Sequence, residues 1–204
     1  MSTTLPAESR TVVENVQWET YVALADDRLG NMPQMTFSQG RLELMSPKKE
    51  HETAKTLLGM MIRAYCEYRD IDILSVASTT FHRHDLNRGF EADEAYYFEH
   101  AVSIRGKEEI DLQVDPPPEL VVEIEITSSA IAKLDLFAAM FVPEVWRYDG
   151  QSLRLFRLPQ LLYRRMTECV ALPGFPVAVA ESLLNQRFDR GEIALIRQFR
   201  RSFA

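Results

Sequence analysis

The sequence predicts an α/β fold: a central mixed β-sheet flanked by helices, with an N-terminal hairpin and a C-terminal helix. Three observations lead there. Several short runs alternate apolar and polar residues between turn signals, as half-buried strands do. Two longer runs carry apolar residues at helical spacing. The 204 residues are 46% apolar and 26% charged, enough for a sizeable core in a single domain over 1–204.

In chain order, about 15 polar, unpatterned residues precede a short amphipathic helix at Trp18-Glu-Thr-Tyr-Val-Ala-Leu. Met35 to Met45 alternates around Ser38-Gln-Gly, the pattern of a hairpin with one buried face and Glu43 opposite Leu42 and Leu44. Residues 50 to 69 place Ala54, Leu57, Leu58, Met61, Ile62 and Tyr65 on one helical face. Ile71 to Val76, Thr79 to His84, Ala92 to Phe98 and Leu120 to Ile126 read as strands, with a polar excursion before Pro118. Ser128 to Met140 returns to helical spacing, capped by Ser128 or Ser129. Val145-Trp-Arg-Tyr and Leu153-Arg-Leu-Phe-Arg-Leu form a second hairpin across Asp149-Gly150. The last 25 residues read as helical, with Ile193, Leu195, Ile196 and Phe199 as the buried stripe.

No window reaches the roughly 18 to 20 apolar residues of a membrane span, and the N-terminus has neither a basic start nor an apolar run, so a cytoplasmic protein is expected. Cys66 and Cys169 stand apart, which excludes a disulfide framework. The net charge is −7 but unevenly spread: residues 1–146 sum to −12 and residues 147–204 to +5, the basic residues of the latter all being arginine. Arg197, Arg200 and Arg201 on the last helix are candidates for contact with a DNA backbone; a solvated face or a contact with the acidic half of a second copy suits them better, given the overall charge.

No Gly-rich phosphate loop, nucleophile elbow, paired-His helix or zinc spacing is present. What stands out is acidic residues inside strands. Glu91 and Asp93 share one face of Phe90-Glu-Ala-Asp-Glu-Ala-Tyr-Tyr-Phe, and Glu123 and Glu125 share one face of Leu120-Val-Val-Glu-Ile-Glu-Ile. Ionised carboxylates in a buried strand cost several kcal/mol each unless something positive compensates them. A divalent cation, Mg²⁺ or Mn²⁺, would do so through oxygen ligands; a solvated acidic strand at a sheet edge is the plainer alternative. Lys133, on the following helix, is the nearest basic candidate. His82 and His84 lie two apart on a strand and read as solvated residues beside a turn. Trp146, Tyr148 and Phe156 read as core aromatics of the second hairpin.

Gly40-Arg-Leu-Glu-Leu-Met-Ser-Pro, Glu50-His-Glu opening a helix, Phe90-Glu-Ala-Asp-Glu-Ala-Tyr-Tyr-Phe, Pro117-Pro-Glu-Leu-Val-Val-Glu-Ile and Val142-Pro-Glu-Val-Trp-Arg-Tyr-Asp occur in the order and spacing of the Uma-two family. That family of bacterial proteins is assigned to the restriction-endonuclease-like, PD-(D/E)XK nuclease superfamily. The resemblance covers residues 17–160, with 161–204 as a C-terminal extension. It implies a restriction-endonuclease-like core and a Mg²⁺- or Mn²⁺-dependent endonuclease acting on DNA, with a homodimer as the expected assembly. By position, Asp93 matches the first metal-binding acid and Glu123 the central one. Glu125 stands where the superfamily expects Lys, as a further ligand or base. Lys133 matches a helical Lys of the family, and Glu43 matches its hairpin acid, a possible extra acid at the metal. His51 matches the helix-opening His and, with Glu91, is a supporting candidate. The rival readings are a non-catalytic binding or regulatory module that keeps the nuclease fold, and an enzyme acting on another phosphate-containing substrate.

Overall fold

The computed structural model describes residues 8–26 and 33–203. The first seven residues of the polar N-terminal stretch lie outside that range. The next ones, read above as unpatterned, form a strand: β1 (Glu8–Val13). It escapes the alternation rule because its inward positions are charged, Glu8 and Arg10, while Val12 and Val13 face solvent. Helix α1 (Trp18–Asp26) follows, then β2 (Gln34–Ser38) and β3 (Arg41–Pro47), the expected hairpin. Its two turn residues, Gln39 and Gly40, both have positive φ, which suits the twist of a tight hairpin.

Helix α2 (Lys49–Arg69) coincides with the long helical run and buries all six expected apolar residues. After it come β4 (Leu74–Ser75), β5 (Thr80–Arg83), a 3₁₀ turn at His84–Leu86, β6 (Arg88–Glu91) and β7 (Glu94–Tyr97). The polar excursion contains only the short α3 (Ala101–Ile104). Then come β8 (Leu120–Ile124), α4 (Lys133–Ala139), β9 (Glu144–Tyr148), β10 (Leu153–Arg157) and β11 (Arg164–Met166). The C-terminal region holds two helices, α5 (Val177–Leu184) and α6 (Glu192–Arg200), rather than one. Leu195, Ile196 and Phe199 are buried as expected, but Ile193 is exposed.

The α/β class holds, with the strands divided between two sheets. An antiparallel sheet runs β1-β3-β2-β6-β5, and a mixed one runs β11-β10-β9-β8-β7-β4. In the mixed sheet only β8 and β9 are parallel, because α4 returns the chain between them as a crossover. The chain passes from one sheet to the other at Ala92 and Asp93, between β6 and β7. A strand read from sequence as continuous is therefore broken at its acidic residues.

Burial gives the mixed sheet two distinct faces. Leu120, Val122, Ile124, Trp146, Tyr148, Leu153 and Leu155 pack against α2, α5 and α6. Val121 and Val145 pack instead against Leu136, Phe137 and Met140 of the α4 region and Phe81 and Phe90 of the antiparallel sheet. Glu144, buried at the start of β9, accepts hydrogen bonds from Trp146 Nε1 at 2.7 Å and from the amides of Val170 and Ala171 at 2.9 and 2.8 Å. It thereby fastens the segment leading to α5 onto the sheet.

Helix α1 covers the antiparallel sheet through Tyr21, whose ring stacks on Phe37 at 4.9 Å between centroids. The ring lies directly over Gly89 of β6, where an added Cβ would meet the tyrosine hydroxyl at 2.2 Å. Gly89→Ala should therefore lower stability by about 1–3 kcal/mol, the usual cost of forcing a packed ring aside. Urea denaturation of the two proteins checks this, with no change expected from Gly106→Ala, a position whose Cβ would meet nothing.

Candidate functional site

The break between the two sheets positions the central acids. Glu94 of β7 is opposite Val122 of antiparallel β8, so the same register carries Asp93 opposite Glu123. Asp93 Oδ2 accepts the Ile124 amide at 2.7 Å, which anchors the carboxylate to β8. Both side chains are almost wholly buried, 1% and 2% exposed. Lys133, the first residue of α4, forms a buried ion pair with Glu123 Oε2. His51, in the first turn of α2, places Nε2 3.1 Å from Asp93 Oδ2, an ionic contact whose alignment falls short of a hydrogen bond. One oxygen of each acid, Asp93 Oδ1 and Glu123 Oε1, is buried without a hydrogen-bond partner.

These surroundings drive the two facing acids apart. Burial works against an Asp93 carboxylate, but His51, Lys133 and the Ile124 amide outweigh it and hold Asp93 below the ordinary range. For Glu123, burial dominates and the charge of Asp93 adds to it; both outweigh Lys133, and the carboxyl is pushed up to about 7. Lys133 is raised, since Glu123 and Asp93 prevail over its own burial. His51 is also raised, because Asp93, Glu8 and Glu52 together overcome desolvation of the imidazolium. A pair of like groups held at different protonation tendencies is a frequent mark of a working site.

The other sequence candidates fall elsewhere. Glu125 is close enough to Glu123 for its charge to help raise that carboxyl, but its own oxygens are engaged by other groups. Strand β8 ends at Ile124, and the Glu125 carboxylate turns to the Ser129 amide at 3.2 Å and to Arg147 at 3.4 Å. Glu91 stays with the antiparallel sheet, accepting from the Met35 amide at 3.3 Å and Thr80 Oγ1 at 3.1 Å. Glu43 is buried, but its oxygens are taken by Arg10, Ser129 Oγ at 2.9 Å and the Ala130 amide at 2.7 Å. Arg200 pairs with Glu67 of α2, which puts the α6 arginines on the sheet face opposite the acids. His84, read as solvated, is exposed but accepts from Trp18 Nε1 at 3.0 Å, and His82 is half-buried in the same aromatic cluster.

Two residues of the site have no sequence signal: Glu8 and Arg10. Glu8 accepts from the amides of Ile126 and Thr127 at 3.0 and 3.3 Å and from Thr127 Oγ1 at 3.1 Å, while Arg10 bridges Glu8 to Glu43. Together they hold the segment after β8 as an irregular loop. The predicted helix at Ser128 accordingly begins only at Lys133: the Glu125 and Glu43 carboxylates capture the amides of Ser129 and Ala130 before a helical turn can form. A charge-rich strand of this kind can be found in sequence only once its inward positions are known.

Among the described residues, no group of three or more His, Cys, Asp or Glu side chains is placed to hold a metal ion, and no helix is long and apolar enough to cross a membrane. Two carboxylates with one orphaned oxygen each do suit a hard cation that takes its remaining ligands from water and phosphate.

The fold is thus an α/β one in which two sheets meet at a pair of buried acids. The family described as "Uma2: Putative restriction endonuclease" matches residues 18–184, and the chain belongs to that family. Among solved structures, the fold resembles a protein titled a putative nuclease belonging to DUF820, from Anabaena variabilis ATCC 29413. The TM-score is 0.58 at 15% identity, over 83% of this chain and 99% of that one. No curated protein matches.

Two predictions arise from this geometry. Folded Glu123 keeps its proton to a higher pH than the unfolded carboxyl at 4.5, so the folded state binds more protons between about pH 4.5 and 7. This group therefore subtracts stability as the pH rises through that window. In metal-free protein its carboxyl carbon should titrate near pH 7 by NMR, and Lys133→Met should move the midpoint upward. Separately, Glu43→Ala strips Arg10 of one of its two acidic partners and leaves the Ala130 amide and Ser129 Oγ without their acceptor, at a cost of about 1–3 kcal/mol. Calorimetric melting should show Glu43→Gln, which keeps the acceptor to Ala130, losing clearly less.

Proposed function

We propose that this protein is a metal-dependent endonuclease that hydrolyses DNA phosphodiester bonds, with Asp93 and Glu123 as metal ligands and Lys133 as the electrophilic side chain. The observation that carries this reading is the facing pair of buried acids, each with one unpartnered oxygen, beside a buried ammonium. Mg²⁺ or Mn²⁺ bound there would supply a Lewis acid and a water of lowered pKa.

The chain's own residues perform the rest. Asp93, held ionised by His51 and the Ile124 amide, presents a fixed carboxylate. His51 acts through Asp93 and orients it. Glu123 divides its oxygens, one on Lys133 and one toward the ligand position, so the ammonium is locked beside the scissile phosphate and can stabilise negative charge developing there. The buried setting strengthens that interaction relative to water. In this reading Lys133, arriving from α4, provides the cation that the strand itself lacks at Glu125. Glu125 instead shapes the loop through Ser129 and stands outside the ligand set.

Supercoiled plasmid incubated with Mg²⁺ or Mn²⁺ tests the proposal, with wild type, Asp93→Ala, Glu123→Ala and Lys133→Ala purified in parallel. Nicking by wild type should fall by about a hundredfold or more in each variant, the usual effect of removing one stabilising group. Titration calorimetry with Mn²⁺ should show saturable binding lost in Asp93→Ala and retained in Lys133→Ala. Equal nicking by all four preparations, or metal binding indifferent to Asp93, would overturn the assignment in favour of a non-catalytic module.

A further inference from the structure

We infer that the arginines of β9, β10 and β11, not those of α6, form the track that holds the phosphate backbone of a nucleic-acid strand entering the site. The inference rests on the function proposed above and names the surface that would serve it.

The argument starts from register. In the parallel pair β8 and β9, Glu123 is opposite Arg147; in the antiparallel pair β9 and β10, Arg147 is opposite Arg154. Opposed residues project from the same face of a sheet. Glu123, Arg147 and Arg154 thus form one row across three strands, each step about 4.8 Å. The neighbouring row on the same face reads Val121, Val145, Phe156 and Arg165.

Packing supports this placement. Trp146, Tyr148, Leu153 and Leu155, which alternate with these positions, are buried against α2, α5 and α6, whereas Val121, Val145 and Phe156 pack against the α4 side. The Arg147 guanidinium lies 5.3 Å over the Phe156 ring, which puts both on one face. Helix α4 covers the Val121–Val145 row and begins at Lys133, beside Glu123, so the row of arginines continues past its end. The Arg147 and Arg154 side chains are 30% and 34% exposed, and Arg165 is more exposed still.

Charge and chemistry agree. A row that begins at the proposed metal ligands and continues into guanidinium groups matches a phosphate at the reacting position followed by further phosphates of the same strand. Arg147 and Arg154 each contact one acid, Glu125 at 3.4 Å and Asp149 at 2.8 Å, through one nitrogen. A guanidinium has five donors, so both retain capacity for a phosphate. The α6 arginines have no such geometry: Arg200 is paired with Glu67 across the sheet from Glu123.

Fluorescence anisotropy with a short labelled DNA duplex in EDTA, where no cleavage occurs, tests the surface. The double variant R154E/R165E alters one half-buried and one exposed side chain, and its fold is checked by circular dichroism. It should bind at least about tenfold more weakly, with a salt slope between about 50 and 200 mM reduced by roughly one per arginine removed. The rival R197E/R200E should bind as wild type does. Arg147→Lys keeps the charge but loses the planar fork, and should fall between wild type and the double variant. Wild-type affinity in R154E/R165E, an equal loss in R197E/R200E, or no DNA binding by wild type would overturn the inference. The plasmid assay keeps the two claims separate. Metal-dependent nicking with unchanged binding in R154E/R165E removes the track and leaves the active site. Binding that depends on Arg154 and Arg165 without any nicking leaves the track and removes the catalytic reading.

Discussion

Buried charge at the junction of the two sheets is the constraint on which the rest of the structure depends. Glu8, Glu43, Asp93 and Glu123 are all nearly inaccessible, and three groups of opposite tendency stand among them: Arg10, Lys133 and His51. Ionised carboxylates in such a place are tolerable only when hydrogen-bonded and paired. Every element that meets here is held by that requirement. Strand β1 is fastened through Glu8 and Arg10, β3 through Glu43, α2 through His51, β7 and β8 through Asp93 and the Ile124 amide, and α4 through Lys133.

Four carboxylates set against two permanent cations and an imidazole leave an excess of negative charge even when His51 is protonated. The protein has two ways to relieve it. Glu123 can keep its proton near neutrality, which its elevated pKa reflects, or a divalent cation can occupy the position that the orphaned oxygens address. The same excess therefore accounts for an unusual titration and for a ligand preference. It also separates the acids by role: Glu8 and Glu43, saturated with hydrogen bonds, build the loop that delivers Lys133, while Asp93 and Glu123 each retain an unused oxygen.

The mixed sheet sorts the chain's functions by face. One face is covered by α2, α5 and α6 over Trp146, Tyr148 and the leucines of β10, and carries stability. The other carries the acids and packs against the α4 region and the antiparallel sheet. Basic residues of the C-terminal third are divided between these faces, by strand alternation in β9 and by the packing of helix α6, so arginines of the same charge acquire different surroundings: Arg147 over Phe156, Arg200 on Glu67.

The sequence alone determined the elements whose signal is local. The helical spacing of α2, the β2/β3 hairpin around Gln39-Gly40, the β9/β10 pair, and the oddity of acids at Asp93 and Glu123 were all legible from period and composition. Lys133 could be named because it follows β8 closely. What only the tertiary structure decided depends on partners far apart in the chain. Strand β1 has charged inward positions, which no hydrophobic period reveals. Glu43 looked like a ligand until its bonds reached Ser129 and Ala130, 86 and 87 residues away. Glu125 likewise spends its oxygens on the Ser129 amide and on Arg147. Local propensity records what one segment prefers in isolation. Which buried acid is satisfied and which is left with an unused oxygen is set by the donors that other segments bring to it, and those are assigned only when the two sheets close on one another.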